Sequence, residues 1–344
     1  MAARDDVVRS RGAAAPDRTR FAAVDLGTNN CRLLVARPDS RGFRVLDAYS
    51  RIVRLGEGLT ASGALSEAAM RRSIGALGVC AERIRRMRVR HARYVATEAC
   101  RQARNCDEFL ARVETETGIA LEIIPAEEEA RLALAGCVPL LSASQEFALV
   151  FDIGGGSTEL VWARVLAGKA PQIIAWTSVP YGVVTLAERF GGHEVDTDAY
   201  AAMVQAVEAQ IARFEQTHRL AATFAAGRAQ MVGISGTITT LAAVQLGLPR
   251  YDRRRVDGRA ISLEAVGDIS RRLVAMSYDQ RVANPCILKG RADLVIPGSA
   301  VLEAILAQWP APEVRVADRG LRDGILWTMM RNTPVVAEST ARRE

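Results

Sequence analysis

Apolar residues in this chain come in short runs between glycine turns and charged stretches, and two of the runs are built alike. Phe21-Ala-Ala-Val-Asp-Leu-Gly-Thr-Asn-Asn-Cys-Arg-Leu-Leu-Val-Ala36 reads as a buried strand with one acid near its end, a turn rich in hydroxyls and amides, and a second apolar strand. Ala148-Leu-Val-Phe-Asp-Ile-Gly-Gly-Gly-Ser-Thr-Glu-Leu-Val-Trp-Ala163 repeats the arrangement. Asp152 takes the place of Asp25 and Gly154 that of Gly27, since 152 − 25 and 154 − 27 both give 127. Two such hairpins predict two related lobes facing across a cleft.

Further elements follow from the same pattern. Residues 42–54 predict a strand followed by a glycine-rich loop, Leu55 to Leu59. A helix capped by Ser66 runs to Met87, with Glu67 in its first turn complementing the helix dipole. Strands are expected at 94–98 and 121–125, the first opening into a helix near Gln102. Pro125 with Glu127, Glu128 and Glu129 starts a helix through Ala135, and 138–146 form a loop. Beyond the second hairpin, strands are expected at 173–176, from Gln230 into the Gly233–Thr237 turn, and at 314–317. Helices are expected from Tyr181-Gly182 through Arg189, over 198–218 and 238–245, from Leu263, over 299–307, and from Asp318–Gly324 to Arg331. Alternating strands and helices with early hairpins indicate α/β lobes with mixed sheets.

Length and composition fit this picture. At 344 residues the chain has room for two domains with their own cores. A hydrophobic share of 49% with 24% charged residues is ordinary for a soluble globular protein. No apolar run is long enough to suggest a membrane span, and residues 1–20 lack the apolar core of a secretory signal. These features predict a cytoplasmic location, without membrane or DNA partners. Cys31, Cys80, Cys100, Cys106, Cys137 and Cys286 form no metal-finger spacing and read as reduced, buried thiols. His91, His193 and His218 show no ligand spacing. Net charge is +6, carried almost wholly by arginine, with Lys169 and Lys289 the only lysines. Coding bias accounts for that excess, and so does a polyanionic substrate gripped by guanidinium forks. Arg83, Arg86 and Arg90 share one helical face, and with Arg253, Arg254 and Arg255 they are either a solvated face or a track for a polyanion.

The candidate chemistry concentrates at the two hairpins. Asp25 and Asp152 end buried strands, where an unpaired carboxylate is costly, so a cation or a donor network is expected beside them. Gly27, Thr28, Asn29 and Asn30, and opposite them Gly154, Gly155, Gly156, Ser157 and Thr158, suit phosphate oxygens, because backbone N–H groups without a Cβ in the way approach closely. Glu159 lies two residues past Ser157 on the same strand face. Thr97 and Arg101 sit at a strand-to-helix turn, where Arg101 either binds phosphate or forms an ion pair. Ser235, Gly236 and Thr237 either touch substrate or simply pack.

Six motifs, in order, resemble the exopolyphosphatase/guanosine-pentaphosphate phosphohydrolase family. They are Val-Asp-Leu-Gly-Thr-Asn (24–29), Glu-Glu-Ala-Arg (128–131), Asp-Ile-Gly-Gly-Gly-Ser-Thr-Glu (152–159), Gly-Ile-Ser-Gly-Thr (233–237), Gly-Arg-Ala-Asp (290–293) and Gly-Leu-Arg-Asp-Gly (320–324). The similarity spans residues 20–332, and the family lies within the actin-like ATPase superfamily of sugar kinases, heat-shock chaperones and actin. Thr28 and Asn30 stand where serines are usual, and the resemblance implies the short, two-domain form rather than the longer one with an additional helical region.

The resemblance implies two actin-like (ribonuclease H-like) lobes with mixed sheets flanked by helices and an active site in the interlobe cleft. Lobe I would cover 20–126, completed by 316–332, and lobe II 127–315, with tails at 1–19 and 333–344. It implies hydrolysis of the terminal phosphoanhydride of inorganic polyphosphate or guanosine pentaphosphate, with Mg2+ or alternatively Mn2+ as cofactor, and a homodimer. Glu129, or else Glu128, would be the catalytic base, Glu159 would position metal or water, and Asp25, Asp152 and Glu159 would hold the metal. A non-catalytic alarmone or polyphosphate sensor and an ATP-dependent kinase of the same fold remain alternatives.

Overall fold

Period-two alternation decides how the first sheet is buried. A computed structural model of the chain describes residues 19–40 and 42–333. The expected tails at 1–19 and 333–344 lie outside these except for Thr19 and Thr333. Strands β1 (Phe21–Leu26), β2 (Asn30–Asp39) and β3 (Gly42–Ile52) form an antiparallel meander. After α1 (Leu59–Ser62) and α2 (Glu67–Arg86), β4 (His91–Ala96) joins parallel to β1. Helices α3 (Glu98–Gln102) and α4 (Cys106–Thr117) lead to β5 (Glu122–Ile123), giving the order β3-β2-β1-β4-β5. Ala22, Val24 and Leu26 point into the core under α2 and α4, whereas Phe21 and Ala23 point into the opposite layer. Ser66 caps α2 by accepting from the Ala69 N–H at 3.2 Å, as its sequence predicts.

The second half repeats this plan on a larger scale. Helix α5 (Ala126–Cys137) precedes the hairpin β6 (Phe147–Ile153) and β7 (Thr158–Arg164), then β8 (Gln172–Val179). Helices α6 (Val183–Phe190), α7 (Thr197–His218) and α8 (Leu220–Ala225) lead to β9 (Ala229–Ile234) and α9 (Gly236–Gln245). There follow α10 (Arg253–Val256), β10 (Ala260–Ser262), α11 (Leu263–Val274), α12 (Tyr278–Ala283), α13 (Val295–Gln308), β11 (Glu313–Ala317) and α14 (Leu321–Asn332). The strand order is β10-β11-β9-β6-β7-β8, with β9 parallel to both β6 and β11. Two mixed sheets with helical layers match the expected fold class.

Helix α13 begins at Val295, earlier than the expected Ser299, because Pro297 falls in its first turn. The N–H groups there have no intrahelical acceptor, so proline costs nothing. Helices α1, α4, α8, α10 and α12 and strand β10 were not anticipated. All six cysteines are buried and unbridged, as expected. No helix among the described residues is long and apolar enough to cross a membrane.

The two halves meet where α5 crosses α14. Helix α5 packs on β6, β7 and β8, while α14 packs on β1 and β2. At the crossing a Cβ on Gly136 would stand 2.2 Å from the Gly320 carbonyl oxygen, and one on Gly324 would stand 1.9 Å from that of Leu132. Only glycine permits so close an approach. The crossing holds the ends of β1 and β6 toward one another.

Candidate active site

Both hairpin turns are closed by the same hydrogen bond. The Gly27 N–H donates to the Asn30 carbonyl and the Gly154 N–H to the Ser157 carbonyl, each at 2.9 Å. The N–H groups of Thr28, Asn29, Gly155 and Gly156 have no acceptor among the described residues, so each turn presents free donors. The turns touch: a Cβ on Gly155 would lie 2.9 Å from Thr28 Cβ and 3.1 Å from the Asn29 nitrogen. Between the lobes they border a cavity of about 350 Å³. Its walls include Asp25, Gly27, Thr28, Asn29 and Asn30 from the first hairpin, and Asp152, Gly154, Gly155, Gly156 and Ser157 from the second. Glu129, Ser235, Gly236 and Thr237 complete the expected set on that wall.

The duplication breaks at one informative position. Strand register places Asp25 opposite Arg32 and Asp152 opposite Glu159. Arg32 and Glu159 are equivalent, because 159 − 32 also gives 127. One lobe therefore sets a cation beside its acid, and the other sets a second anion. The consequence is electrostatic. Burial, then the charge of Glu159, pushes the Asp152 carboxyl up to about 8. Burial also raises Asp25, against the pull of Arg32 and Arg322.

Glu129 projects from the first turn of α5 into the same space. Exposed Glu127 and ion-paired Glu128 do not share its setting: Glu128 pairs with Arg93 at 2.9 Å. Burial and the neighbouring Glu159 raise the Glu129 carboxyl well above its ordinary range, opposed by Arg101. The Arg101 Nη1 donates to Glu129 Oε2 at 2.9 Å and to the Ile124 carbonyl at 2.8 Å. Its Nε and Nη2 donate to Glu98 at 2.9 and 2.7 Å.

Arg101, Thr158 and Glu159 are absent from the cavity wall. Arg101 forms the ion pair rather than reaching the cavity. Thr158 Oγ1 donates to the Tyr181 carbonyl at 2.7 Å. Glu159 is buried, and its Oε1 accepts from Ser157 Oγ at 2.7 Å and Ser178 Oγ at 2.9 Å.

Six charged residues on the wall were not anticipated as site residues: Arg32, Glu98, Arg291, Asp318, Arg319 and Arg322. Arg32, Arg291 and Arg322 make no ion pair within 4.0 Å among the described residues. Burial and then the charge of Arg32 lower Arg291 to about 10 and also lower Arg322. Clustered guanidiniums with no direct ion pair suit an anion. The Nε of Arg291 is buried without a hydrogen-bond partner among the described residues, as is Asn29 Oδ1. Arg291 and Arg322 belong to the Gly-Arg-Ala-Asp and Gly-Leu-Arg-Asp-Gly motifs, which were the available signal. The surface clusters are different: Arg83 pairs with Asp47 at 2.9 Å and Arg253 with Asp318 at 3.5 Å.

The donors on the wall suit a hard cation. Asp25 and Asp152 offer carboxylate oxygens, and the orphaned Asn29 Oδ1 adds an oxygen acceptor. No three His, Cys, Asp or Glu side chains gather into a metal cage among the described residues. Magnesium fits this set, because it takes one or two carboxylates and completes its shell with water and substrate phosphates. Glu159, the third expected ligand, stands behind the wall with its Oε1 accepting from Ser157 and Ser178.

The Ppx/GppA phosphatase family matches residues 34–333. Exopolyphosphatase 2 of Mycobacterium tuberculosis is 31% identical over 325 residues, covering 89% of this chain and 97% of that protein. The guanosine-5'-triphosphate,3'-diphosphate pyrophosphatase of Aeromonas hydrophila is 29% identical, covering 91% of this chain, which spans 60% of that longer protein. The crystal structure of the Aquifex aeolicus Ppx/GppA family member superposes with a TM-score of 0.73 at 26% identity, covering 93% of this chain and 98% of that one.

Proposed function

The chain belongs to the Ppx/GppA phosphatase family, and we propose that it hydrolyses the terminal phosphoanhydride of inorganic polyphosphate or of guanosine 5'-triphosphate 3'-diphosphate. The observation that carries this is the contact of the two acid-tipped turns around one cavity, with free N–H donors on both. The terminal phosphoryl group sits on those donors, and Arg32, Arg291 and Arg322 offset its charge and that of the following phosphate. Glu129 takes a proton from a water as its oxygen attacks the terminal phosphorus. The bridging P–O bond breaks, releasing inorganic phosphate and a substrate shortened by one phosphate. Arg101 holds Glu129 in place from behind. Asp25 and Asp152 hold Mg2+, which when bound supplies positive charge to the phosphate oxygens.

The test is colorimetric phosphate release with Mg2+ from tripolyphosphate, long polyphosphate and guanosine 5'-triphosphate 3'-diphosphate. Release to water from at least one substrate, lost in Glu129→Ala, supports the proposal. Transfer of phosphate only to a second substrate would mark a kinase, and tight binding without turnover a sensor; either outcome overturns hydrolysis.

A further inference from the structure

Residues 284–294, between α12 and α13, form a strap that belongs to the second lobe but reaches the first. On its own lobe it is anchored by Arg281, only 1% exposed and with no carboxylate within 4.0 Å among the described residues. Arg281 donates instead to carbonyls: Ala292 at 3.1 Å, Met276 at 2.9 Å, Gly192 at 3.2 Å, and His193. On the opposite lobe the strap meets Arg54. The Arg54 Nη2 donates to both carboxylate oxygens of Asp293, at 2.9 and 3.1 Å, and to the Gly290 carbonyl at 3.4 Å. The fit is tight, since a Cβ on Gly290 would stand 2.6 Å from Ile52 Cδ1. Between these two contact points lies Arg291, the cavity arginine whose Nε has no partner among the described residues.

Arg54 is itself held in an unusual conformation. Its φ is 47°, in the left-handed region that a non-glycine residue enters at a cost. That conformation lets the Val53 and Arg54 N–H groups both donate to the Asn29 carbonyl, at 2.9 and 3.0 Å. The Arg54 backbone is thus bonded to the first phosphate turn, and its side chain to the residue two positions beyond Arg291. Arg54 does not line the main cavity; with Asn29 and Asp293 it lines a separate one of about 210 Å³.

We propose that Arg54 is a positioning residue, which brackets the first turn to the strap through Asp293 and so sets Arg291 over the anion in the cleft. This rests on the cleft's binding a phosphoanhydride, but it adds a residue outside the cleft that controls how well the anion is held. The Asp293 side chain is 9% exposed and that of Arg54 35%, so the pair is partly shielded from competing water.

The test is a double-mutant cycle on pyrophosphate affinity, measured by calorimetry with Mg2+, which needs no turnover. Arg54→Gln is expected to weaken binding about tenfold, the loss of one well-placed charged contact. Arg54→Lys should recover part of it. In an Arg291→Ala background, Arg54→Gln should have no further effect, because its influence passes through Arg291. Equal and additive losses would overturn the proposal and mark Arg54 as a direct or merely structural contact. Independently of any ligand, hydrogen exchange of residues 286–294 should quicken in Arg54→Gln, and unchanged exchange would equally overturn it. Wild-type protein that binds pyrophosphate but releases no phosphate from tripolyphosphate, long polyphosphate or guanosine 5'-triphosphate 3'-diphosphate would instead sink the hydrolase assignment and leave the cycle readable.

Discussion

Glu129 stands between influences of opposite sign, and that balance sets where it can act. Burial and Glu159 raise its carboxyl while Arg101 lowers it. A base works unprotonated, so turnover must fall as pH drops through this raised value. Arg101→Met removes the lowering charge and should move the acid limb of the kcat–pH profile to higher pH. Glu159→Gln removes a raising charge and should move it lower. Shifts in the same direction, or none, would remove Glu129 from the role. Glu129→Gln should lower kcat by about 10²-fold or more with a small change in KM, since only proton transfer is lost. Asp152 makes a different kind of statement. Its folded value of about 8 lies above its ordinary 3.8, so across that window the unfolded chain has released a proton that the folded chain keeps. Stability therefore declines as pH rises through the window. In a chelator, Asp152→Asn should raise the thermal midpoint at pH 8 and change it little at pH 4; a lower midpoint at pH 8 would contradict the placement. From the sequence, three consecutive acids at a helix start look alike. What separates them is which one turns inward beside Arg101, a fact of tertiary packing.

Among the elements, the α5–α14 crossing limits how the lobes can sit. Gly324 presses on the Leu132 carbonyl and Gly136 on that of Gly320. Gly324→Ala should cost about 1–3 kcal/mol, as overpacking does, and lower the thermal midpoint by several degrees. An unchanged midpoint with unchanged activity would show that the helices separate freely. Much at this scale was legible in advance. The two hairpins could be read because strand, acid, turn and strand follow in unbroken order, so local pattern and fold agree. Helix α2 announced itself through Ser66 and Glu67. Helix α4 did not, because Asn105 at its start gives no cap and instead hydrogen-bonds Leu65, 40 residues earlier. The early start of α13 was hidden by Pro297, which resembles a helix breaker but stands where a helix tolerates it.

The whole molecule is a device for bringing separated charges to one place. The acids at 25 and 152 were foreseeable, because each ends a buried apolar strand, whereas Glu129 was marked only by the motif it shares with the resembled family. The arginines at 32, 291 and 322 were not: in a chain so rich in arginine, Arg32 has no local mark, and Arg291 and Arg322 had only the motifs in which they stand. Only the packing of both lobes leaves these guanidiniums unpaired and turned toward one cavity, beside carboxylates that accommodate a cation. A cleft lined by both carboxylates and guanidiniums suits a phosphate chain carrying a divalent cation better than either ion alone.

That claim is tested most directly by Mg2+-dependent phosphate release in Asp25→Asn, Asp152→Asn and the double variant, with the best substrate of the wild type. If both acids serve one cation, each single change should lower kcat/KM by about 100-fold or more, and the double variant should be little worse than either. Near-normal release in one single variant, or a double loss equal to the product of the two, would show that the paired turns do not act on a shared phosphate.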